Sequence, residues 1–313
     1  MRVMVTGGAG FIGSNLVDAL AVRGHVPGVV DDLSAGREEN LRDGVFFRRL
    51  DILAPELKQV FAEFAPDAVV HLAAQADVQA SIADPDRDWA VNVEGTRAVA
   101  AAAAACGATR VVSASSAAVY GDPETVPLRE TAAKRPANPY GRSKLAAETA
   151  LAEALAGSGA DYASFRFANV YGPRQDWRGE GGVVAIFCAR LAAGARPIVF
   201  GDGEQTRDFV FVGDVASALI TAVESDGVLG SGPPDGPAYN VSTGVETSVL
   251  RLVEMLGSVS GAEAPPEFRP ERPGEIDRSA LDPSKSRMIL HWTAAVPLED
   301  GLAATWRHFR DTR

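Results

Sequence analysis

The 313-residue sequence predicts an α/β protein, on three observations. Residues 2–6 form a short apolar β-type run that passes directly into Gly7-Gly8-Ala9-Gly10-Phe11-Ile12-Gly13 and then into a helical pattern from Ser14 to about Arg23. Further short apolar runs follow at 26–30, 67–72, 110–113 and 161–166, with helical patterns between and after them. Ser115 and Ser116 stand just beyond the run at 110–113, at the carboxyl end of a strand, where open α/β sheets bind ligands. The length suits one large α/β domain or one domain with an appended lobe.

Composition bounds the function. Hydrophobic residues make up 46% and charged residues 23%, the balance of a water-soluble globular chain. The net charge is −11 with no basic block, which argues against nucleic acid or an anionic membrane surface as partner. Any polyanionic ligand must be held locally, by a few arginines and backbone N–H groups. Cys106 and Cys188 lie far apart in apolar settings and read as buried thiols. The histidines (His25, His71, His291, His308) lack ligand spacing, so no metal site is expected. No apolar run is long enough to span a bilayer. Met1 leads straight into the first strand and glycine turn, leaving no room for a signal peptide, and the expected compartment is the cytoplasm.

Each element then takes a place. Strand, glycine turn and helix form the context of a phosphate-cradling loop: Gly7, Gly10 and Gly13 permit a tight turn, a close backbone approach to a pyrophosphate and close helix–strand packing. The second strand, 26–30, ends in Asp31-Asp32. An acid there accepts hydrogen bonds from an adenosine ribose and repels a 2′-phosphate, which favours NAD over NADP, although Arg37 is near enough in sequence to serve a phosphate. Asp51-Ile52 ends the next strand-like run and suits either bracketing of the adenine or, for Asp51, a cap. The strand at 67–72 leads into Ala73-Ala74-Gln75, whose small side chains let a dinucleotide lie against the backbone. The segment from Trp89 to Cys106 reads as one helix, alanine-rich from Ala98 to Ala105, packed tightly on the sheet or, secondarily, on a partner subunit.

The chemistry concentrates in Asn138-Pro139-Tyr140-Gly141-Arg142-Ser143-Lys144. Tyr140 and Lys144, four apart, share one face of a helix. A phenol is a poor base at its ordinary pKa of about 10. A neighbouring ammonium favours the phenolate, as abstraction of a hydroxyl proton near neutral pH requires. Ser116 is placed to donate to a substrate oxygen and pass a proton toward Tyr140.

The glycine spacing Gly7-x-x-Gly10-x-x-Gly13 resembles that of the short-chain dehydrogenase/reductases. With Asp31 to Ser34, His71 to Ala74, Asn92 to Thr96, Ser115 to Gly121, Tyr140 to Lys144, Asn169 to Gln175 and Gly201 to Phe209, the chain resembles their extended branch, and within it the NAD-dependent UDP-glucose 4-epimerases. The resemblance implies a Rossmann doubly wound parallel sheet holding NAD, over 1–167 with later segments returning to it. It also implies a smaller C-terminal α/β lobe, mainly 168–313, holding a UDP-sugar. NAD would be contacted by Gly7, Gly10, Phe11, Ile12, Gly13, Asp31, Asp32, Ser34, Asp51, Ile52, Leu72, Ala73, Ala74, Asn92, Ser115, Tyr140, Lys144 and Phe167. The sugar nucleotide would be contacted by Ser116, Tyr140, Asn169, Val183, Phe200, Arg207, Arg272 and Glu275. In the implied reaction Tyr140 takes the proton of the sugar 4-hydroxyl while the C4 hydride passes to NAD. The 4-keto sugar then turns and takes the hydride back on its other face. Lys144 binds the nicotinamide ribose, and Ser116 bonds the 4-oxygen. Related dehydratases carry an Asp-Glu pair just after the serine, and decarboxylases a glutamate nearby; this chain has Ala117 and Ala118, which transfer no proton.

Several positions keep an ordinary structural reading beside the functional one: Asn169 as a turn residue, and Arg272 with Glu275 as a surface ion pair. Ser279, four residues beyond Glu275, is expected by resemblance to leave room for an N-acetyl group at the sugar C2. Arg178, in the polar loop after Gln175, suits a C6 carboxylate or solvent. UDP-glucuronate and UDP-N-acetylglucosamine 4-epimerases are the alternatives on this scaffold. An NAD-binding regulatory protein is the non-enzyme alternative, and retention of Ser116, Tyr140 and Lys144 argues against it. The resemblance further suggests a homodimer through helices around Ala98 to Ala105 and Tyr140 to Ala156.

Overall fold

The structure, a computed structural model, describes residues 1–178, 182–230, 235–262, 265–271 and 276–312. Strand β1 (Arg2–Thr6) shows why the sheet is covered on both sides. Val3 and Val5 enter one hydrophobic core and Met4 the other, and all three are fully buried. Such two-sided burial belongs to the centre of a parallel sheet.

The first half continues with α1 (Phe11–Val22), β2 (Val26–Asp31), β3 (Phe46–Arg49), α2 (Leu57–Phe64), β4 (Ala68–His71), α3 (Val78–Ala83), α4 (Pro85–Trp89), α5 (Gly95–Ala105), β5 (Arg110–Ser116), α6 (Pro139–Leu155) and β6 (Asp161–Phe167). The second half holds β7 (Asn169–Tyr171), α7 (Val183–Ala192), β8 (Ile198–Phe200), β9 (Thr206–Arg207), β10 (Phe209–Phe211), α8 (Val212–Glu224), β11 (Ala238–Val241), β12 (Thr247–Ser248), α9 (Val249–Ser260), β13 (Glu267–Arg269), β14 (Arg278–Ser279), α10 (Ser284–Ile289) and α11 (Leu298–Asp311).

Seven parallel strands form the main sheet in the order β11-β6-β5-β4-β1-β2-β3. Helices α1 and α8 pack on one face, and α2, α5 and α6 on the other. This is the doubly wound Rossmann arrangement. The order reverses between β1 and β4, and the carboxyl ends beside that switch form the ligand crevice of such sheets. Thus β11 and α8, although late in the chain, belong to the first layer system.

The elements of the second half other than α8, β11 and α10 build a lobe with its own core, in which Tyr171, Phe187, Leu252, Leu256 and Leu302 are buried. Its small sheets pair β10 with β7, β13 with β8, and β9 with both β12 and β14. Asp208, fully buried, joins these pieces: its carboxylate accepts Thr243 N (2.9 Å), Thr243 Oγ1 (2.6 Å) and Gly244 N (2.9 Å).

One element differs from the sequence expectation. The helical run from Trp89 to Cys106 is not uniform: a π turn (Ala90–Glu94) lies between α4 and α5. It widens the backbone around Asn92, the residue with most side-chain bonds in that stretch. Such insertions are common at functional sites.

Candidate active site

The glycine turn closes because its side chains are missing. Gly7 has φ +70°, and a Cβ there would lie 2.6 Å from Ala73 N. A Cβ on Gly13 would lie 2.1 Å from the Gly7 carbonyl oxygen and 2.7 Å from Gly8 Cα. Gly10 meets less: its Cβ would find only the Gly7 oxygen, at 3.3 Å. No side chain caps the start of α1, so the first N–H groups of a twelve-residue helix, Phe11 and Ile12 among them, stand beside an open backbone turn. A dinucleotide pyrophosphate fits this cradle.

Asp31 ends β2 buried. Its two carboxylate oxygens accept Ala9 N (2.9 Å) and Leu33 N (2.9 Å), tying the glycine turn to the second strand. Burial pushes its pKa up, and the backbone donors pull against that. Asp32 is exposed and accepts both the N–H (2.9 Å) and the hydroxyl (2.6 Å) of Ser34. Asp51 turns onto Leu53 N (2.9 Å) in a local turn and caps no helix, since α2 begins only at Leu57. Ile52 is buried under α5, where a Cβ on Gly95 would lie 2.5 Å from its Cδ1; its side chain serves packing and is not free to face an adenine.

After β4 the chain passes Leu72, Ala73 and Ala74, all half-buried beside the glycine turn. A buried polar chain lies beneath them. Thr96 Oγ1 donates its hydrogen to Asn92 O (2.6 Å), so it must accept from His71 Nε2 (3.0 Å). His71 Nδ1 then accepts from Thr6 Oγ1 (2.7 Å). The bonding fixes the Nε2–H tautomer of a neutral ring. Burial, helped by the Lys144 charge, lowers its pKa from 6.5 to about 3.

Asn92 is 1% exposed, and its amide is spent inside the protein. It accepts Gln75 N (2.9 Å) and donates to Gln75 O (2.9 Å), Asp88 Oδ1 (3.1 Å) and Ser143 Oγ (3.0 Å). Its side chain thereby positions the loop after β4 against α6. The Ser115 hydroxyl is likewise engaged inside the protein, donating to Glu148 (2.6 Å).

Asn138 starts α6 by accepting Gly141 N (2.8 Å), with Pro139 in the first turn. The N-terminal turn of α6 packs against the segment after β5 so closely that a Cβ on Gly141 would lie 2.6 Å from Ala118 O. Tyr140 is thereby brought beside the 116–118 turn. Ser116 accepts Ala118 N (3.2 Å), a bond that uses a lone pair and not the hydroxyl hydrogen. Lys144, 6% exposed, lies with Nζ 6.0 Å from the centre of the Tyr140 ring and donates to Ala114 O (3.1 Å). Ala117 and Ala118 occupy a 3₁₀ turn directly after Ser116.

The chain enters the second lobe at this edge. Phe167 ends β6 opposite Ser116 in the ladder, and Asn169 begins β7 with its N–H on Asp208 O (2.9 Å). The next segment turns back onto α1: Asn15 Nδ2 donates to Pro173 O (3.1 Å), Arg174 pairs with Asp18 (2.7 Å) from a left-handed φ of 71°, and Arg37 approaches Asp176 (3.8 Å). Arg178 is exposed and stacks over Trp177 (5.2 Å). Val183 opens α7 and Phe200 closes β8. Phe200 lines a cavity of about 360 Å³ with Gly201, Asp202, Gln205, Asp277 and Arg278. Ser279 lies beside Arg207 in the β14–β9 ladder. Arg272 and Glu275 lie outside the described residues. Among the described residues no cluster of His, Cys, Asp or Glu could hold a metal ion, and no helix is long and apolar enough to cross a membrane.

A glycine turn at the switch point of a parallel sheet, with a tyrosine–lysine pair and a serine at the neighbouring strand end, defines a dinucleotide-dependent enzyme of the extended short-chain dehydrogenase/reductase class. The chain belongs to the NAD dependent epimerase/dehydratase family, whose profile matches residues 3–242. It is 44% identical to the UDP-glucose 4-epimerase of Mycolicibacterium smegmatis over 99% of either chain. Two crystal structures superpose over nearly the full length. The UDP-glucose 4-epimerase of Thermotoga maritima, solved with UDP-glucose, has a TM-score of 0.93 and 39% identity, covering 100% of this chain and 99% of that one. The enzyme of Thermus thermophilus, solved with NAD, has a TM-score of 0.89 and 40% identity over 99% of each chain.

Proposed function

We propose that this chain is an NAD-dependent 4-epimerase interconverting UDP-glucose and UDP-galactose. The observation that carries the reading is the join of α6 and β5: the Tyr140–Lys144 pair stands at the start of α6, Gly141 packs there against Ala118, and Ser116 ends β5, followed by two alanines and no acid. When bound, NAD supplies a hydride acceptor at the sugar C4 and gives the hydride back. Tyr140 takes the 4-hydroxyl proton and later returns it, and the Lys144 ammonium favours its phenolate. Ser116 donates to the 4-oxygen and holds it in line. Ala117 and Ala118 supply neither the acid nor the base that elimination of water needs, so the ketone lasts only until hydride and proton return.

Gly7, Gly10, Gly13, Phe11 and Ile12 hold the pyrophosphate, Asp31 the adenosine ribose, and Leu72 to Ala74 the dinucleotide's flank. Arg207 serves the diphosphate of the sugar nucleotide, where a guanidinium fork suits phosphate oxygens. Asn169 contacts the diphosphate or the hexose, Val183 and Phe200 contact the sugar nucleotide further along, and Ser279 stands beside the sugar. We infer a cytoplasmic homodimer whose subunits meet through α5 and α6, where exposed and half-buried small residues flank the Arg97–Glu153 pair (3.1 Å).

The test is proton NMR of the purified protein with UDP-glucose, without added reductant. Appearance of UDP-galactose with no net NADH supports the reading. Conversion of UDP-glucuronate alone would move it to a uronate epimerase and direct attention to Arg178.

A further inference from the structure

We propose that Arg166 and Glu148 form a buried positioning unit that sets α6 in register on β5 and thereby aligns Tyr140 and Lys144 with Ser116. The proposal rests on the epimerase reading and adds to it two residues that touch no substrate. Arg166 is 1% exposed and lies directly beside Ser115 in the β5–β6 ladder. Its five N–H groups all find acceptors. Nε and Nη2 fork onto the two oxygens of Glu148 (2.9 and 2.7 Å), Nη2 also reaches Asp235 (3.1 Å), and Nη1 bonds Tyr120 Oη (3.0 Å) and Glu130 O (2.9 Å).

These partners bracket the reacting serine. Glu148 accepts the Ser115 hydroxyl, one residue before Ser116. Tyr120 follows the 3₁₀ turn just after Ser116 and passes its own hydrogen to Asn240 (2.8 Å). On the helix, Glu148 lies one turn beyond Lys144 and two beyond Tyr140, so that α6 meets β5 at successive points, Lys144 on Ala114 and Glu148 on Ser115. Ser116 is the next residue along that strand. A buried ion pair is a weak source of stability, because desolvation offsets its attraction. A bidentate fork does fix geometry closely. The structure therefore assigns this pair to alignment, at a site where small displacements cost rate.

The test uses NAD-loaded protein with Arg166→Lys, which keeps the charge and loses the fork, Glu148→Gln, and the mild Ser115→Ala. For the first two, kcat should fall about tenfold to a hundredfold. KM for UDP-glucose and bound NAD should stay within about twofold, the pattern of a transition-state alignment loss. Without any substrate, the phenolate absorbance of Tyr140, taken against Tyr140→Phe, should appear at higher pH in the variants. Unchanged kcat and phenolate titration with a lowered Tm would overturn the proposal and leave a purely stabilising pair. If Arg166→Lys fails to fold, Glu148→Gln decides: wild-type kcat and titration in it would equally overturn the proposal. An inactive wild type whose phenolate still shifts in the variants would reject the epimerase reading and support the alignment.

Discussion

Acid should weaken this fold through one residue, His71. Its ring is neutral in the folded protein and stays so down to about pH 3, whereas an exposed histidine takes its proton near 6.5. Between those values the unfolded chain binds a proton that the native chain does not. Stability from this group is therefore fully present above pH 6.5 and is lost as pH falls toward about 3. The full depression corresponds to on the order of 5 kcal/mol, and the slope within the window to about 1.4 kcal/mol per pH unit. The group is wholly buried, so solvent screening does little to reduce this. His71→Gln provides the control: its amide offers an acceptor to Thr6 and a donor to Thr96 and does not titrate. Urea unfolding at pH 7, 6, 5 and 4 should show wild type losing roughly 3 kcal/mol more than the variant across the range. Parallel curves for the two proteins would refute the reasoning. So would a protonated His71 ring in NMR spectra at pH 5, or an Nδ1–H tautomer at neutral pH.

Three further outcomes are expected. Tyr140→Phe should keep its NAD and lose about 10²–10⁴ in kcat, the share that a positioned acid–base group supplies; steady-state rates and the absorbance of bound cofactor check both halves. Gly13→Ala sets a methyl group against three backbone atoms that cannot move aside. It should cost about 1–3 kcal/mol in thermal or urea unfolding and yield protein largely free of NAD. Ser279→Tyr, beside Arg207, should abolish turnover of UDP-N-acetylglucosamine while UDP-glucose still reacts; failure of the wild type to accept the N-acetylated sugar would remove the premise.

What could be read from the sequence was local. Gly7 to Gly13 carry their geometry in their composition, Asp31 stands at a strand end, and Tyr140 and Lys144 declare a helical face by spacing alone. Residues whose work depends on distant partners left no such trace. Arg166 is one more residue in an apolar strand until the fold sets it against Glu148 and Asp235; the only local hint was Glu148, one turn beyond Lys144 on the same face. Thr6, His71 and Thr96 belong to three separate elements, and their proton order follows only from seeing all three bonds. The π turn at Asn92 leaves the surrounding helical pattern intact, so periodicity passes over it. The ladders of β9, β12 and β14 are two residues long, too short for any alternation to register. Asn92 and Ser115 stand in the family motifs, yet their side chains face inward, as does that of Ile52.

The return of residues 173–176 onto α1 has a mechanical consequence. That helix is gripped at its start by the glycine turn and along its flank by a segment of the other lobe, through Asn15 and Asp18. The two lobes are riveted at the helix whose uncapped N-terminus the glycine turn frames. Prising them apart would break the hydrogen bond from the Asn15 amide to Pro173 O and a carboxylate–guanidinium pair at once, and would also let Arg174 leave a backbone conformation that costs a non-glycine residue roughly 1–2 kcal/mol. Part of the work of opening is thus already stored in the closed joint.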